Sequence, residues 1–387
     1  MIFGIKKDEL INLGAEFTSK EINQQPKLWR ETYEIVKTNK EKIKEFLSEN
    51  LDKETRVILT GAGTSDYVGQ TIYLYLAKKL KVRVEAVPTT DLVSNPAEFI
   101  EEDTKTILVS YARSGNSPES VGAYNLFKDN VKNIAQLVIT CNENGELAKK
   151  ASEDSNSLCL LMPKESNDKS FAMTSSFSCM LLSTILTFDI ENIEGNKEIV
   201  EVIANQGQDI LDNKWNEVKD LVELGCNRVV YLGSGYLKGL CKEMALKNLE
   251  LTSGKVVTVT ESVLGFRHGP KSIIDDNTLV IFMNSTNDYT NLYDMDLIRE
   301  IHGDEGGHKL AVISYKENKE IEQISDKYLE IGGADIEEVY TVFNYMLYGQ
   351  IFGLFSSLHL GISPDNPRPD GTVNRVVKGV IIHEYNK

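Results

Sequence analysis

The sequence predicts an α/β protein: two doubly wound, flavodoxin-like parallel sheets, each an αβα sandwich, with an N-terminal helical arm. Three observations predict it. Short apolar runs rich in β-branched residues alternate with helix-like stretches, the pattern of a parallel sheet covered on both faces. RVILTGAG (56–63) returns as RVVYLGSG (228–235), and Thr106 follows Arg56 by the same 50 positions that separate Thr278 from Arg228. At 387 residues the chain is long enough for two cores.

The elements follow in order. From Lys20 to Leu47, apolar residues such as Leu28, Trp29, Ile35, Val36, Ile43 and Phe46 recur at helical spacing among many charges. Pro26 marks a break or a helix start there. RVILTGAG then precedes a helix from about Asp66 to Leu80, and RVEAVPT and KTILVSYA precede one beginning near Ser117. AQLVITC precedes GELAKKASE, and LCLLMP precedes SSFSCMLLSTILTFD. The charged stretch ENIEGNKE (191–198) reads as a linker, after which the pattern restarts. TLVIFMNSTND (278–288), KLAVIS and YLEIGG supply further strands, and a long helix covers about Glu337 to Leu360. The expected organisation is an arm over 1–50, one α/β domain over 51–193, a second over 194–362 and a tail over 363–387.

Composition excludes several classes. A net charge of −16 argues against nucleic acid and anionic lipid as partners, since both need a basic surface. The five cysteines include no CxxC pair, so neither a disulfide framework nor a zinc site is expected, and a reducing cytoplasm is the simplest compartment. MIFGIKKDEL lacks the apolar core of a signal peptide, and no apolar run is long enough to span a bilayer. No cofactor or metal is expected.

Two loops carry hydroxyls at helix starts. In GAGTSDYVG (61–69), Asp66 stands where a dinucleotide fingerprint would have its third glycine, and a carboxylate there repels pyrophosphate. Glu85 could imitate a ribose-binding acid; a plain tight turn is the other reading. No GxxxxGK[ST] occurs. SYARSGNSPES (110–120) suits an anion better: helix N-termini offer unpaired N–H groups, serines donate without imposing charge, and Gly115 admits close approach. Ser117 could equally be an N-cap, with Pro118 in the first turn. Loops at the carboxyl ends of neighbouring strands converge, so the expected ligand is a phosphomonoester bound without metal, a phosphosugar rather than a nucleotide.

Acid–base groups stand in the second half. KEMALKNLELTSG (242–254) is a helix with Glu243, Lys247 and Glu250 at i,i+4 and i,i+3 spacing. A solvated salt-bridge face is the ordinary reading. Glu250, however, lies near the helix C-terminus, where the macrodipole disfavours a carboxylate by ~0.3–1 kcal/mol, a direction that suits a general base. ESVLGFRHGPKS (261–272) holds His268 between Arg267 and Gly269-Pro270. His302, His308, His359 and His383 show no ligand spacing.

GAGTSDYVG, SYARSGNSPES, the ALKNLE helix, FRHGP and the PRPDGTVNRVVK tail together resemble sugar isomerase (SIS) domain proteins. More closely, nearly the whole chain is similar to the tagatose-6-phosphate ketose/aldose isomerases, also described as galactosamine-6-phosphate deaminases. The resemblance implies a homodimer or higher homo-oligomer with a shared active site. It implies phosphate binding by Gly63, Thr64 and Ser65 and by Arg113, Ser114, Gly115 and Ser117, and sugar contacts from Thr174 and Ser175. Glu250 matches the base that moves a proton between C1 and C2. His268 matches the ring-opening histidine, which relatives supply from a neighbouring subunit, and Lys378 matches a C-terminal lysine that the related glucosamine-6-phosphate synthase uses on its ketose. A basic residue on an exposed tail is the plainer reading of Lys378. Where the synthase loop reads SQSGET, this chain reads ARSGNS. Arg113 then either holds the phosphate by charge or faces away.

The implied reaction is aldose–ketose isomerisation of an amino-sugar 6-phosphate, giving tagatose 6-phosphate and ammonium. No cysteine nucleophile of a glutaminase precedes the arm, which favours deamination over synthesis. The alternatives are isomerisation of a neutral sugar phosphate by the same residues, separated by ammonium release, and a non-catalytic phosphosugar sensor, which leaves Glu250, His268 and Lys378 without a purpose.

Overall fold

The structure, a computed structural model, describes residues 1–377 and 379–385. The chain forms two compact units. The first-sheet unit comprises Lys27–Asp168, Met173–Val200 and Asp370–Lys387; the second-sheet unit comprises Met1–Pro26, Lys169–Ala172 and Glu201–Pro369.

The first unit holds strands β1 (Arg56–Thr60), β2 (Arg83–Ala86), β3 (Thr106–Ala112), β4 (Ile134–Thr140) and β5 (Ser157–Leu161), in the order β2-β1-β3-β4-β5. The second holds β6 (Arg228–Gly233), β7 (Val257–Glu261), β8 (Thr278–Asn284), β9 (Lys309–Ser314) and β10 (Lys327–Glu330), in the order β10-β9-β8-β6-β7. Every pairing is parallel. Counted within each half, the two orders are the same, so the repeat in the sequence is a repeat of topology.

Central strands β3 and β8 are buried at every residue, and they are the continuous apolar runs TILVSYA and TLVIFMN. Edge strand β7 was not predicted, for a physical reason. It reads VTVTE, and none of its five residues is fully buried. A lateral strand needs no apolar run, so it leaves no such signal.

The arm divides into helices Lys7–Asn12, Glu16–Asn23, Gln25–Thr38 and Lys40–Asn50. Pro26 sits in the first turn of the third, where its missing N–H costs nothing. Within the first-sheet unit, buried Trp29 donates from Nε1 to Ser178 Oγ at 2.9 Å, on helix Ser175–Phe188, whose 14 residues are all buried. The expected linker at 191–198 is instead helical: a 3₁₀ turn over Ile190–Asn192 runs into helix Ile193–Asp209. Its charges are the exposed face of that helix. Ile193 and Asn196 are buried three residues apart, while Glu191 and Glu194 pair with Lys44 and Lys37 at 2.6 and 2.7 Å.

All five cysteines are free thiols. No helix among the described residues is long and apolar enough to cross a membrane, and no cluster of three metal-ligating side chains occurs among them.

Candidate active site

The glycine turn after β1 is built by close approach. A Cβ on Gly61 would lie 2.5 Å from the Ser65 backbone, and one on Gly233, the counterpart after β6, 2.8 Å from Leu237. Gly63 and Gly235 then take φ of 58° and 57°, a left-handed geometry that L side chains resist. Helix Thr64–Leu80 starts at once, with Thr64 and Ser65 buried in its first turn. Ser65 Oγ lies 4.0 Å from Met173 Sδ.

The loop Arg113–Ser117 leaves β3 beside this turn, because β1 and β3 pair in register from Arg56↔Thr106 to Thr60↔Ser110. The β4 loop braces it: Asn142 Nδ2 donates to the Ser114 carbonyl at 2.8 Å, and Leu147 N donates to the Gly115 carbonyl at 3.1 Å. Glu146 N donates to Asn116 Oδ1 at 3.0 Å. Ser117 stands at the N-cap position of helix Pro118–Asn130, yet its hydroxyl donates to Ser120 Oγ at 2.6 Å and caps no backbone N–H. The N-cap role does not apply to its side chain.

Thr174 and Ser175 open helix Ser175–Phe188. The fully buried Asp168 carboxylate accepts from the backbone N–H groups of Thr174, Ser175 and Ser176 at 2.8, 3.2 and 2.9 Å, and from the Ser176 hydroxyl at 2.6 Å. A carboxylate there complements the helix dipole. Asp168 escaped prediction because it caps across a loop of six to eight residues, a spacing with no short-range signature.

Arg113 and Glu85 both have partners within this unit. Arg113 is buried, and its Nη2 donates to the carbonyl of Arg375 at 2.8 Å. Glu85, the imagined ribose acid, is paired with Arg56 Nε at 2.5 Å and with Arg83.

The second-sheet unit carries Glu250 on helix Tyr236–Leu251. Lys247 and Glu243 are fully buried, so this is no solvated face. Lys247 Nζ lies 2.5 Å from Glu250 and 3.6 Å from Glu243, while the Glu250 side chain keeps 26% of its exposure. A buried ammonium thus orients an accessible carboxylate. His268 is exposed after helix Val263–Phe266, and its imidazole has no hydrogen-bond partner among the described residues. The flanks of its loop are fixed, since Arg267 and Lys271 both bind Glu300, at 2.7 and 2.5 Å. Lys378 lies outside the described residues.

The loop after β8, topological counterpart of the Arg113–Ser117 loop, is already filled by carboxylates of its own unit. Glu338, first residue of helix Glu338–His359, accepts from the Ser285 hydroxyl and from Thr286 N at 2.8 Å. Asp294 accepts from Ser285 N at 2.8 Å and from Ser234 Oγ, in the β6 turn, at 3.1 Å. Burial raises the Asp294 pKa from 3.8 to about 6, with neighbouring Glu338 adding to the shift. A carboxyl with a raised folded-state pKa favours folding below about pH 4 and loses that contribution as pH rises through about 6. Asp294→Asn should therefore stabilise the protein at pH 7 by up to about 3 kcal/mol and hardly at pH 4. Denaturant midpoints at both pH values check this; a variant that tracks the wild type at both refutes it.

The SIS domain family matches residues 50–188 and 224–351, one match over each sheet. The chain belongs to the SIS-domain family. Each SIS match takes in all five strands of its half, so Ser65, Ser114 and Ser117 fall in the first SIS domain, and Glu250 and His268 in the second. Over 387 residues the chain is 40% identical to the D-galactosamine-6-phosphate deaminase AgaS of Shewanella sp. (strain ANA-3), covering 99% of this chain and 96% of the relative. The crystal structure of tagatose-6-phosphate ketose/aldose isomerase from Escherichia coli superposes with a TM-score of 0.87 at 38% identity, covering 96% of this chain and 97% of that one. A structure from Clostridium novyi NT, provisionally named for the same isomerase, reaches a TM-score of 0.97 at 46% identity, covering 100% and 99%.

Proposed function

We propose that this SIS protein is a D-galactosamine-6-phosphate deaminase/isomerase that converts its substrate to tagatose 6-phosphate and ammonium. The observation that carries the reading is Glu250, an accessible carboxylate held by a fully buried lysine. The names of full-length relatives at 40% identity support the substrate. In this reading the substrate phosphate rests on the hydroxyls and backbone of Gly63–Ser65 and Ser114–Ser117, with Thr174 and Ser175 toward the sugar. His268 assists ring opening. Glu250 removes the C2 proton to give an enolamine and returns it at C1, leaving a ketimine at C2. Water adds to that carbon and ammonium departs, so the ketose forms without any redox change. Lys378 serves the ketose end from the tail, 363–387.

An exposed imidazole without a hydrogen-bond partner among the described residues supports a homodimer in which His268 serves the neighbouring subunit's site. Five free thiols support a cytoplasmic setting. The halves 51–193 and 194–362 are the corresponding functional domains.

Incubation with galactosamine 6-phosphate and with glucosamine 6-phosphate, following ammonium and ketose phosphate, tests this. Stoichiometric ammonium and ketose from the galacto substrate are expected. The second reading, a ketose/aldose isomerase of neutral sugar phosphates, is favoured by the name of the E. coli structure. Turnover of tagatose 6-phosphate with no ammonium from either amino sugar would establish it instead.

A further inference from the structure

Arg113 is a cation buried in the loop that carries Ser114 and Ser117, and a buried cation needs a partner of defined geometry. Its Nη2 donates to the main-chain carbonyl of Arg375 at 2.8 Å. Arg375 in turn donates from its own guanidinium to the carbonyl of Asp168. The Asp168 carboxylate caps the helix that starts at Thr174. Further along the tail, Ile382 lies over the helix Pro118–Asn130: a Cβ added at Gly122 would come 3.3 Å from it. Within one unit, then, the β3 loop, the Thr174–Ser175 helix start and the tail are joined through Arg113, Arg375 and Asp168.

We propose that Arg113 is a positioning residue that docks the C-terminal tail on the phosphate loop and is not itself a ligand of the phosphate. The proposal rests on the phosphate-cradle reading above for its functional meaning, though not for the docking itself. Arg113 directly follows β3 and directly precedes Ser114, so its guanidinium moves with the loop that would close on an anion. The tail is thereby coupled to that loop: an anion that orders Ser114 and Ser117 also holds Arg113 against the Arg375 carbonyl. The substitution of arginine for the glutamine of the synthase loop places a charged fork, with more donors than a glutamine amide, against the tail.

The test uses the full chain and inorganic phosphate as probe, with hydrogen–deuterium exchange across 370–385, phosphate titration, and steady-state kinetics. Arg113→Met should speed tail exchange at least about tenfold, as loss of a charge-assisted hydrogen bond implies, while the phosphate Kd moves by less than about threefold. With substrate, kcat should fall and KM hold, and Arg113→Lys should recover part of both tail protection and kcat through a single donor. A phosphate Kd weakened more than about tenfold with unchanged tail exchange would overturn the proposal and make Arg113 a phosphate ligand. Should Arg113→Met fail to fold, the exposed Arg375 offers a second variant. Arg375→Met leaves its main-chain carbonyl to Arg113 and breaks only the link to Asp168, so the tail should keep part of its protection with the phosphate Kd unmoved; complete loss of tail protection there overturns the proposal, since Arg113 would then hold nothing. Exchange and phosphate binding need no turnover, so a wild-type protein inactive on amino sugars would refute the proposed function while the tail comparison still decides this inference.

Discussion

Glu250→Gln should lower kcat by about 10²–10⁴-fold, the range that general acid–base groups contribute. Gln keeps the shape of Glu and can still accept from the Lys247 ammonium, but it cannot take a proton from C2. Because the proposed phosphate contacts belong to other residues, the Kd for inorganic phosphate should stay within about threefold of wild type. Exchange of the substrate C2 proton with solvent reads the same step directly and should vanish with turnover. Near-normal kcat in this variant would remove Glu250 from the chemistry and the proposed mechanism with it.

Lys247→Met should destabilise the protein by about 3–5 kcal/mol, the cost of leaving one member of a buried ion pair without its partner. The charge left behind is Glu243, fully buried on the same helix 3.6 Å from the ammonium. For a unit of this size that corresponds to a Tm lowered by roughly 10 °C. Adding Glu243→Gln to the same chain should restore most of the loss, since the double variant no longer buries the carboxylate that paired with the Lys247 ammonium. Activity should not return with stability, because Glu250 still lacks the ammonium that orients it. A Lys247→Met protein with unchanged Tm would mean that groups other than Lys247 compensate Glu243.

Much of this fold is legible because a doubly wound sheet writes itself in continuous apolar runs. β3 and β8 are the runs TILVSYA and TLVIFMN, and the repeated glycine turns mark the halves as copies. What hid was of two kinds. Elements at the margin carry mixed signals: VTVTE is an edge strand without an apolar run, and ENIEGNKE is a helix whose charges face water. Long-range polar partners carry no signal at all. Ser114, Ser117 and Glu250 could be named from local spacing, whereas the Asp168 cap, the Arg113–Arg375 bond and the Glu338 carboxylate depend on contacts between segments far apart in sequence.

Glu338 gives the duplicated halves different thermodynamics. A carboxylate built into the chain stays at its donors at any dilution, so the loop after β8 owes nothing to dissolved anions. Among the described residues, no carboxylate takes the corresponding place at Ser114 and Ser117 of the loop after β3. Under the proposed function its unit gains stability from free phosphate ester as RT ln(1 + [L]/Kd), about 2.7 kcal/mol at a hundredfold excess over Kd. Under that reading the first half reports the supply of phosphate ester through its own resistance to unfolding and proteolysis, whereas the loop after β8 stays filled whatever the supply.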